Sequence, residues 1–158
     1  MMKWKDWIKK WNMESLKINA KFLEMEFKPS NSDKSAAWEL YIELLTRSTT
    51  QLLLGNNGDE KAALESISKI FNTTREIIKK YGYECFEFSK IAIVILNQKI
   101  RPFTTRWHTE SLSGAFDSDG KRMEFRKELR FVQEDLRTYT KMLAEMIGVE
   151  DLTDLECS

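Results

Sequence analysis

The chain has 158 residues, of which 42% are hydrophobic and 32% are charged. Its 25 basic and 25 acidic residues give a formal net charge of zero. This length suits one domain with a substantial core. A chain without net charge is not expected to bind nucleic acid over its whole surface. We therefore expect no DNA partner, and RNA could bind only at a local basic patch.

The cysteine content and the hydropathy exclude several further classes of protein. Cys85 and Cys157 are too few and too far apart for a disulfide framework or a zinc site, so we expect no metal and no cofactor. The longest apolar run, 91–96, is far shorter than the roughly 20 residues of a membrane span. The N-terminus lacks the apolar region of a signal peptide. These features predict a cytoplasmic protein.

Residues 1–31 are predicted to form an N-terminal arm that begins with a short amphipathic helix over residues 2–12. Trp4, Trp7 and Trp11 share one face of this helix, and lysines give it a positive charge. Two interpretations stay open. The arm packs on its own domain or on a partner, or its tryptophans lie at the headgroup depth of a membrane surface.

Residues 16–27 carry the only clear β signal in the chain. Apolar and polar residues alternate there, and the phase changes at Phe22 and Leu23. This pattern predicts a strand with a bulge, or two short extended pieces. Pro29 and the polar residues 30–32 end the segment.

Residues 32–148 are predicted to form the main helical domain. Ser32 or Asp33 is expected to cap a first long helix that runs to about Leu54. A turn over 55–58 separates it from a second helix, which runs to Tyr81. Gly82 follows as the residue that stops that helix.

The third long helix is predicted from Cys85 to about Lys99, and it is apolar almost all round. Pro102 then forces a kink, or a break with the proline in the first turn of a new helix. The polar loop 113–120 leads to the last helix, whose apolar residues alternate steps of three and four up to Gly148. Residues 149–158 form an acidic tail that we expect to be partly exposed.

Four long helices joined by short loops predict a mainly all-α fold, and specifically an antiparallel four-helix bundle. The amphipathic helix and the short extended segment precede this bundle.

The segment 100–108 holds the only histidine of the chain and two arginines. On a helix, Arg101 and His108 share a face and lie about 10 Å apart along the axis. Such a pair can bind and cleave a phosphodiester, or it can cap and pack a helix junction. A single histidine excludes a histidine-rich metal site, and the sequence has neither a nucleophile elbow nor a glycine-rich phosphate loop.

The spacing from Arg101 to His108 resembles the Arg-x(4–6)-His motif of HEPN ribonucleases, which are helical bundles. The resemblance implies metal-independent RNA cleavage in a cleft between two protomers. His108 would then act as general acid or base, and Arg101 would hold the phosphate. Arg106 and Trp107 are candidate binding residues beside them, with Arg106 contacting RNA. Trp107 has a second interpretation, in which it fills the edge of the core.

A second resemblance covers most of the chain. The run 36–47, together with 101–103 and 107–108, is similar to a group of small uncharacterised bacterial proteins from defence gene neighbourhoods. It implies a bacterial, cytosolic accessory protein of an antiphage system, and it brings no known chemistry. Arg47, at the end of this run, is a further candidate binding residue.

We therefore expect a small helical interaction or accessory protein that self-associates or binds another protein subunit. The enzymatic alternative is a HEPN-like ribonuclease that uses Arg101 and His108. The third alternative is a membrane-surface sensor anchored by the tryptophan-rich helix.

Overall fold

A computed structural model describes residues 1–47 and 60–155. This part of the chain is mainly helical, and no strand forms within it. The all-α class predicted from the sequence is therefore confirmed. The α-helices of the described residues are α1 (Trp4–Lys10), α2 (Ala20–Leu23), α3 (Asn31–Thr46), α4 (Glu60–Tyr81), α5 (Phe86–Ile95), α6 (Arg101–Leu112) and α7 (Asp119–Ile147).

The start of α3 corrects the predicted cap, because Ser30 takes the capping position instead of Ser32 or Asp33. The Ser30 hydroxyl accepts from the Asp33 N–H at 3.1 Å, and the Asp33 carboxylate accepts from the Ser30 N–H at 2.8 Å. This reciprocal pair is a capping box. Asp33 also accepts from the Phe88 N–H at 3.0 Å, which ties α3 to α5. Helix α3 ends at Thr46, and Arg47 has an extended backbone with ψ of 130°, so the prediction of one continuous helix to about Leu54 is wrong. The predicted turn 55–58 lies outside the described residues.

The second and last long helices follow the prediction closely. Helix α4 ends at Tyr81, and Gly82 adopts a φ of 67°, in the left-handed region where glycine carries no Cβ penalty. Helix α7 runs to Ile147, and Gly148 stops it in the same conformation. The predicted apolar seam of α7 is buried along its length at Phe125, Leu129, Val132, Leu136, Tyr139, Leu143 and Met146.

The junction between α5 and α6 is a widened helical turn over Leu96–Ile100. The Arg101 N–H donates to the Leu96 carbonyl, five residues earlier, and Pro102 lies in the first turn of α6. Proline has no N–H to donate, so it interrupts the series of α-helical hydrogen bonds. The wider π turn before Pro102 accommodates this interruption. The helix thus neither stops nor simply kinks at Pro102.

The predicted strand over residues 16–27 is wrong. Asn19 instead caps the single turn of α2 by accepting from the Lys21 N–H at 2.8 Å. The change of phase at Phe22, which suggested a bulge, comes from this turn of helix. Extended pairing is limited to an isolated bridge between Lys3 and Glu26 within the described residues.

The arm packs on itself and on the long helices. Trp4 and Trp7 are fully buried, and their rings lie 4.6–4.7 Å from that of Phe27. Lys10 reaches Glu145 of α7 at 2.6 Å. Two of the three tryptophans that a membrane-surface helix would present, Trp4 and Trp7, are therefore in the core, and Trp11 is partly buried.

The start of the acidic tail is held against the helices by polar contacts. The Tyr41 hydroxyl accepts from the Leu152 N–H at 2.6 Å, and Asp154 pairs with Arg137 and Lys141 at 2.8 and 2.9 Å. Leu155 is 73% exposed, in line with the predicted partial exposure of the tail. In the part of the chain that the structure describes, every helix is too short or too polar to cross a membrane.

Candidate functional site

Helix α6 presents Arg101 and His108 toward α4. The Arg101 guanidinium lies 4.5 Å from the centre of the Phe71 ring, and its Nε donates to the Asn97 side chain at 2.9 Å. His108 Nε2 lies 2.8 Å from the Ser68 hydroxyl. Ser68 and Phe71 are one turn apart on α4. The structure thus places both predicted catalytic residues on the same side of α6, and both are exposed.

The hydrogen bonds of Ser68 favour one tautomer of His108. The Ser68 hydroxyl donates its one proton to the Leu64 carbonyl at 2.8 Å. In the tautomer that completes both hydrogen bonds, His108 Nε2 donates to Ser68, because a hydroxyl has a single donor. In the neutral imidazole, Nδ1 is then the nitrogen that can accept a proton. This arrangement can serve a general base, but it equally suits a histidine that joins α6 to α4.

Arg106 lies on another side of α6 and is held by α7. Its guanidinium donates to Glu124 and to Glu128 and lies 4.7 Å from the ring of Trp107. The hydrogen bond to Glu124 raises the pKa of Arg106 above its ordinary value. Two carboxylates therefore offset the charge that was predicted to contact RNA, and the side chain links α6 to α7.

Trp107 lies in the core instead of on a binding surface. It has no exposed area, and its ring contacts those of Phe116 and Phe125 at 6.1 and 5.2 Å. Trp107 therefore has no exposed surface with which to contact a ligand, as its predicted role as a binding residue would require. The position agrees with the alternative interpretation, in which Trp107 fills the edge of the core.

Arg47 joins the end of α3 to α4. It donates to the Glu43 carboxylate at 3.1 Å and to the Thr73 hydroxyl at 2.9 Å. Its side chain is 17% exposed. The structure therefore brings Arg101 and His108 together against α4, and it places Arg47, Arg106 and Trp107 in separate environments.

A groove between α2 and α5, which we call the α2–α5 groove, was missed by sequence reasoning. It has a volume of about 500 Å³. Its lining residues are Ile18, Asn19, Lys21, Phe22, Met25, Lys90, Ile93 and Val94. The groove combines a segment that was predicted to be extended with one side of a helix that was predicted to be apolar almost all round.

Large apolar side chains stand open to solvent around the α2–α5 groove. Met25, Phe86 and Ile93 are 47%, 58% and 49% exposed. The Lys90 ammonium lies between two rings, 4.7 Å from that of Phe22 and 4.8 Å from that of Phe86. The spacing of Phe86, Lys90 and Ile93 by four and three residues was the sequence signal for this surface.

A second groove, the α3–α4 groove, has a more polar lining. Its volume is about 700 Å³, and Trp38 on its wall is 43% exposed. Glu39 in this groove accepts from Lys80 at 2.9 Å and from the Tyr81 hydroxyl. The Tyr81 hydrogen bond is the main reason why the pKa of Glu39 lies below its ordinary value.

Comparisons with protein-family models, with characterised proteins and with solved structures found no match to this chain. Both resemblances therefore depend on the residues quoted for them. Within residues 1–47 and 60–155, no group of three His, Cys, Asp or Glu side chains is placed to hold a metal ion.

Proposed function

We propose that this protein is a helical interaction module that acts by binding another protein subunit or a second copy of itself. The observation that carries the proposal is the α2–α5 groove, where Met25 and Ile93 are about half exposed, together with the 58% exposed Phe86, whose ring lies against Lys90 beside the groove. Apolar side chains that gather on one surface favour a partner that covers them. Single exposed apolar residues would not support this argument.

The helix that forms one wall of the groove supports the same proposal. A helix that is apolar on all sides is normally buried on all sides. Helix α5 buries Phe88, Ile91 and Ile95 in the core, but Ile93 and Phe86 face outward. A docked protein would bury this remaining face.

We further infer that α3, α4, α5–α6 and α7 form an antiparallel four-helix bundle. Phe71 lies beside Arg101, whereas the earlier residue Ser68 lies beside the later residue His108. This order supports opposite directions for α4 and α6. The bundle would act as a rigid support for the outward face of α5.

Affinity purification from the native cells tests the proposed function. The wild-type protein should recover a specific partner that is lost in the double variant Phe86→Ser with Ile93→Glu. Phe131→Ser is the matched control, because Phe131 is 60% exposed on α7, away from the groove. Recovery of the same proteins by all three forms would contradict the proposal.

The resemblance of residues 36–47, 101–103 and 107–108 supports a bacterial cytoplasmic setting in antiphage defence. In that setting, deletion of the gene should raise the plating efficiency of a phage on the host. Restoration by the wild-type gene, but not by the Phe86→Ser, Ile93→Glu variant, would link the phenotype to the groove. A phage that plates equally well with and without the gene argues against the defence role.

A second candidate function is metal-independent RNA cleavage, which is favoured by the exposed placement of Arg101 and His108 on one side of α6. Purified protein should then cleave labelled RNA in the presence of EDTA. Cleavage should be lost in His108→Ala and in Arg101→Ala and kept in Arg130→Ala, which removes an exposed arginine from α7. Intact RNA with the wild-type protein would reject this candidate.

A further inference from the structure

We propose that the α2–α5 groove binds an amphipathic helix of a partner protein, and that this helix carries carboxylates beside its apolar stripe. The inference rests on the proposed interaction function and adds the chemical class of the partner. It is carried by the shape of the groove, by the sign of its charges and by the apolar face left open on α5.

The shape of the groove suits a helix. Among its lining residues, Phe22 is only 5% exposed, whereas Met25 and Ile93 are about half exposed. Phe86 and Ile93 are seven residues apart on α5, which corresponds to about 10 Å along its axis. A partner helix places apolar side chains at i, i+3 or i+4, and i+7 over a similar length.

The charges of the groove select an acidic partner. Lys21 and Lys90 are the charged side chains among its described lining residues. The structure records no ion pair for Lys21 among the described residues, and Lys90 approaches Glu87 at only 3.9 Å. A partner with carboxylates near both lysines would be complementary, and a basic helix would be repelled.

The position of Lys90 strengthens this inference. Its ammonium lies over the rings of Phe22 and Phe86, so the charge is flanked by apolar side chains. A carboxylate that reaches Lys90 would therefore be partly shielded from water, where an ion pair is stronger than at an open surface. A second copy docked with its two-fold axis through Lys90 would instead bring one Lys90 toward another, which disfavours that form of self-pairing.

Two designed helical peptides of about 18 residues test the proposal. Both carry leucines at alternating steps of three and four, and their flanking positions are glutamate in one peptide and lysine in the other. The glutamate peptide should bind the full chain roughly tenfold more tightly than the lysine peptide, as measured by fluorescence anisotropy. Ile93→Glu should remove the binding of the glutamate peptide.

Charge reversal provides the sharper readout. The double variant Lys21→Glu with Lys90→Glu should lose the glutamate peptide and gain the lysine peptide. Lys69→Glu with Lys127→Glu is the matched control, because these exposed lysines lie on α4 and α7. If circular dichroism shows that the Lys90 change unfolds the chain, Lys21→Glu alone should weaken binding of the glutamate peptide several-fold.

Several results would overturn the proposal. These are failure of both peptides to bind, equal binding of both, the same loss in the control variant, and a wild-type dimer that Ile93→Glu dissociates in sedimentation. If affinity purification still recovers a partner that the Phe86→Ser, Ile93→Glu variant loses, only the acidic helix is rejected. If affinity purification also recovers no such partner, the proposed interaction function is rejected as well.

Discussion

At the scale of single residues, a carboxylate that is almost completely removed from solvent lies at the start of α4. Glu60 is 1% exposed and accepts from Arg126 through Nε at 3.1 Å and through a terminal nitrogen at 2.6 Å. A buried carboxylate is tolerated when such hydrogen bonds offset the loss of its hydration. This pair therefore fixes the position of α4 against α7.

We expect Glu60→Gln to lower the free energy of unfolding by about 2 kcal/mol, because it removes a charge-assisted bond and leaves Arg126 with a weaker partner. Urea denaturation measures this change. Glu65→Gln, an exposed site on the same helix, is the control and should change stability by less than about 0.5 kcal/mol. Equal effects of the two substitutions would show that the Glu60–Arg126 pair contributes little.

The pH dependence of the arm gives a second prediction at this scale. The hydrogen bonds from Lys5 and Lys3 lower the pKa of Glu24 from 4.5 to about 2. A lowered carboxyl pKa stabilises the fold above pH 4.5, and this contribution is lost as the pH falls from 4.5 toward 2. An NMR titration of the Glu24 carboxyl should show this pKa, and Lys5→Gln should raise it toward 4.5. A wild-type pKa near 4.5 would mean that the two lysines do not hold Glu24 in solution.

At the scale of elements, the start of α3 depends on one hydroxyl. Ser30→Ala should lower the free energy of unfolding by about 1 kcal/mol, because the Asp33 N–H and the Asp33 carboxylate both lose a partner. Ser32→Ala is the matched control, since the hydroxyl of Ser32, among the described residues, makes an exposed contact with Glu84 at 3.3 Å. A larger loss for Ser32→Ala than for Ser30→Ala would place the cap where the sequence alone suggested it.

The elements also show which signals could be interpreted from the sequence. Helices α4 and α7 were predicted well because their apolar residues repeat over many turns and a glycine follows each. Helix α2 was missed because one helical turn at Phe22 imitates a change of strand phase. The π turn over Leu96–Ile100 could not be predicted, since Pro102 is equally compatible with a kink or a break.

At the scale of the whole molecule, the arm is part of the same core as the long helices. Trp7 is fully buried, and its ring stacks on Phe27 with centroids 4.6 Å apart. Trp7→Ala should therefore lower the free energy of unfolding by roughly 3–5 kcal/mol, as expected when a buried aromatic ring is removed. Urea denaturation checks this, and Trp38→Ala, at a 43% exposed position, should cost much less. If the arm detaches without loss of stability, Trp7→Ala and Trp38→Ala would both lower the free energy of unfolding only slightly. This outcome would contradict the prediction.

The two candidate sites differ in how far the sequence could predict them. The shared side of Arg101 and His108 follows from their spacing on one helix. Their partners Ser68 and Phe71 do not, because they depend on how α4 packs against α6. The α2–α5 groove was not foreseen, since Phe22 and Ile93 are distant in sequence and meet only after the arm folds back. The sequence shows that apolar residues surround α5 on almost all sides. It does not show which side of the helix remains exposed to solvent.

The central claim is that the face formed by Met25, Phe86 and Ile93 is a protein-binding surface. The most direct test is an NMR titration of the labelled full chain with the glutamate-bearing peptide. Amide shifts should change at residues 18–25 and 86–94 and stay constant at Phe131 on α7. Shifts that change elsewhere, or that do not change at all, would contradict the claim.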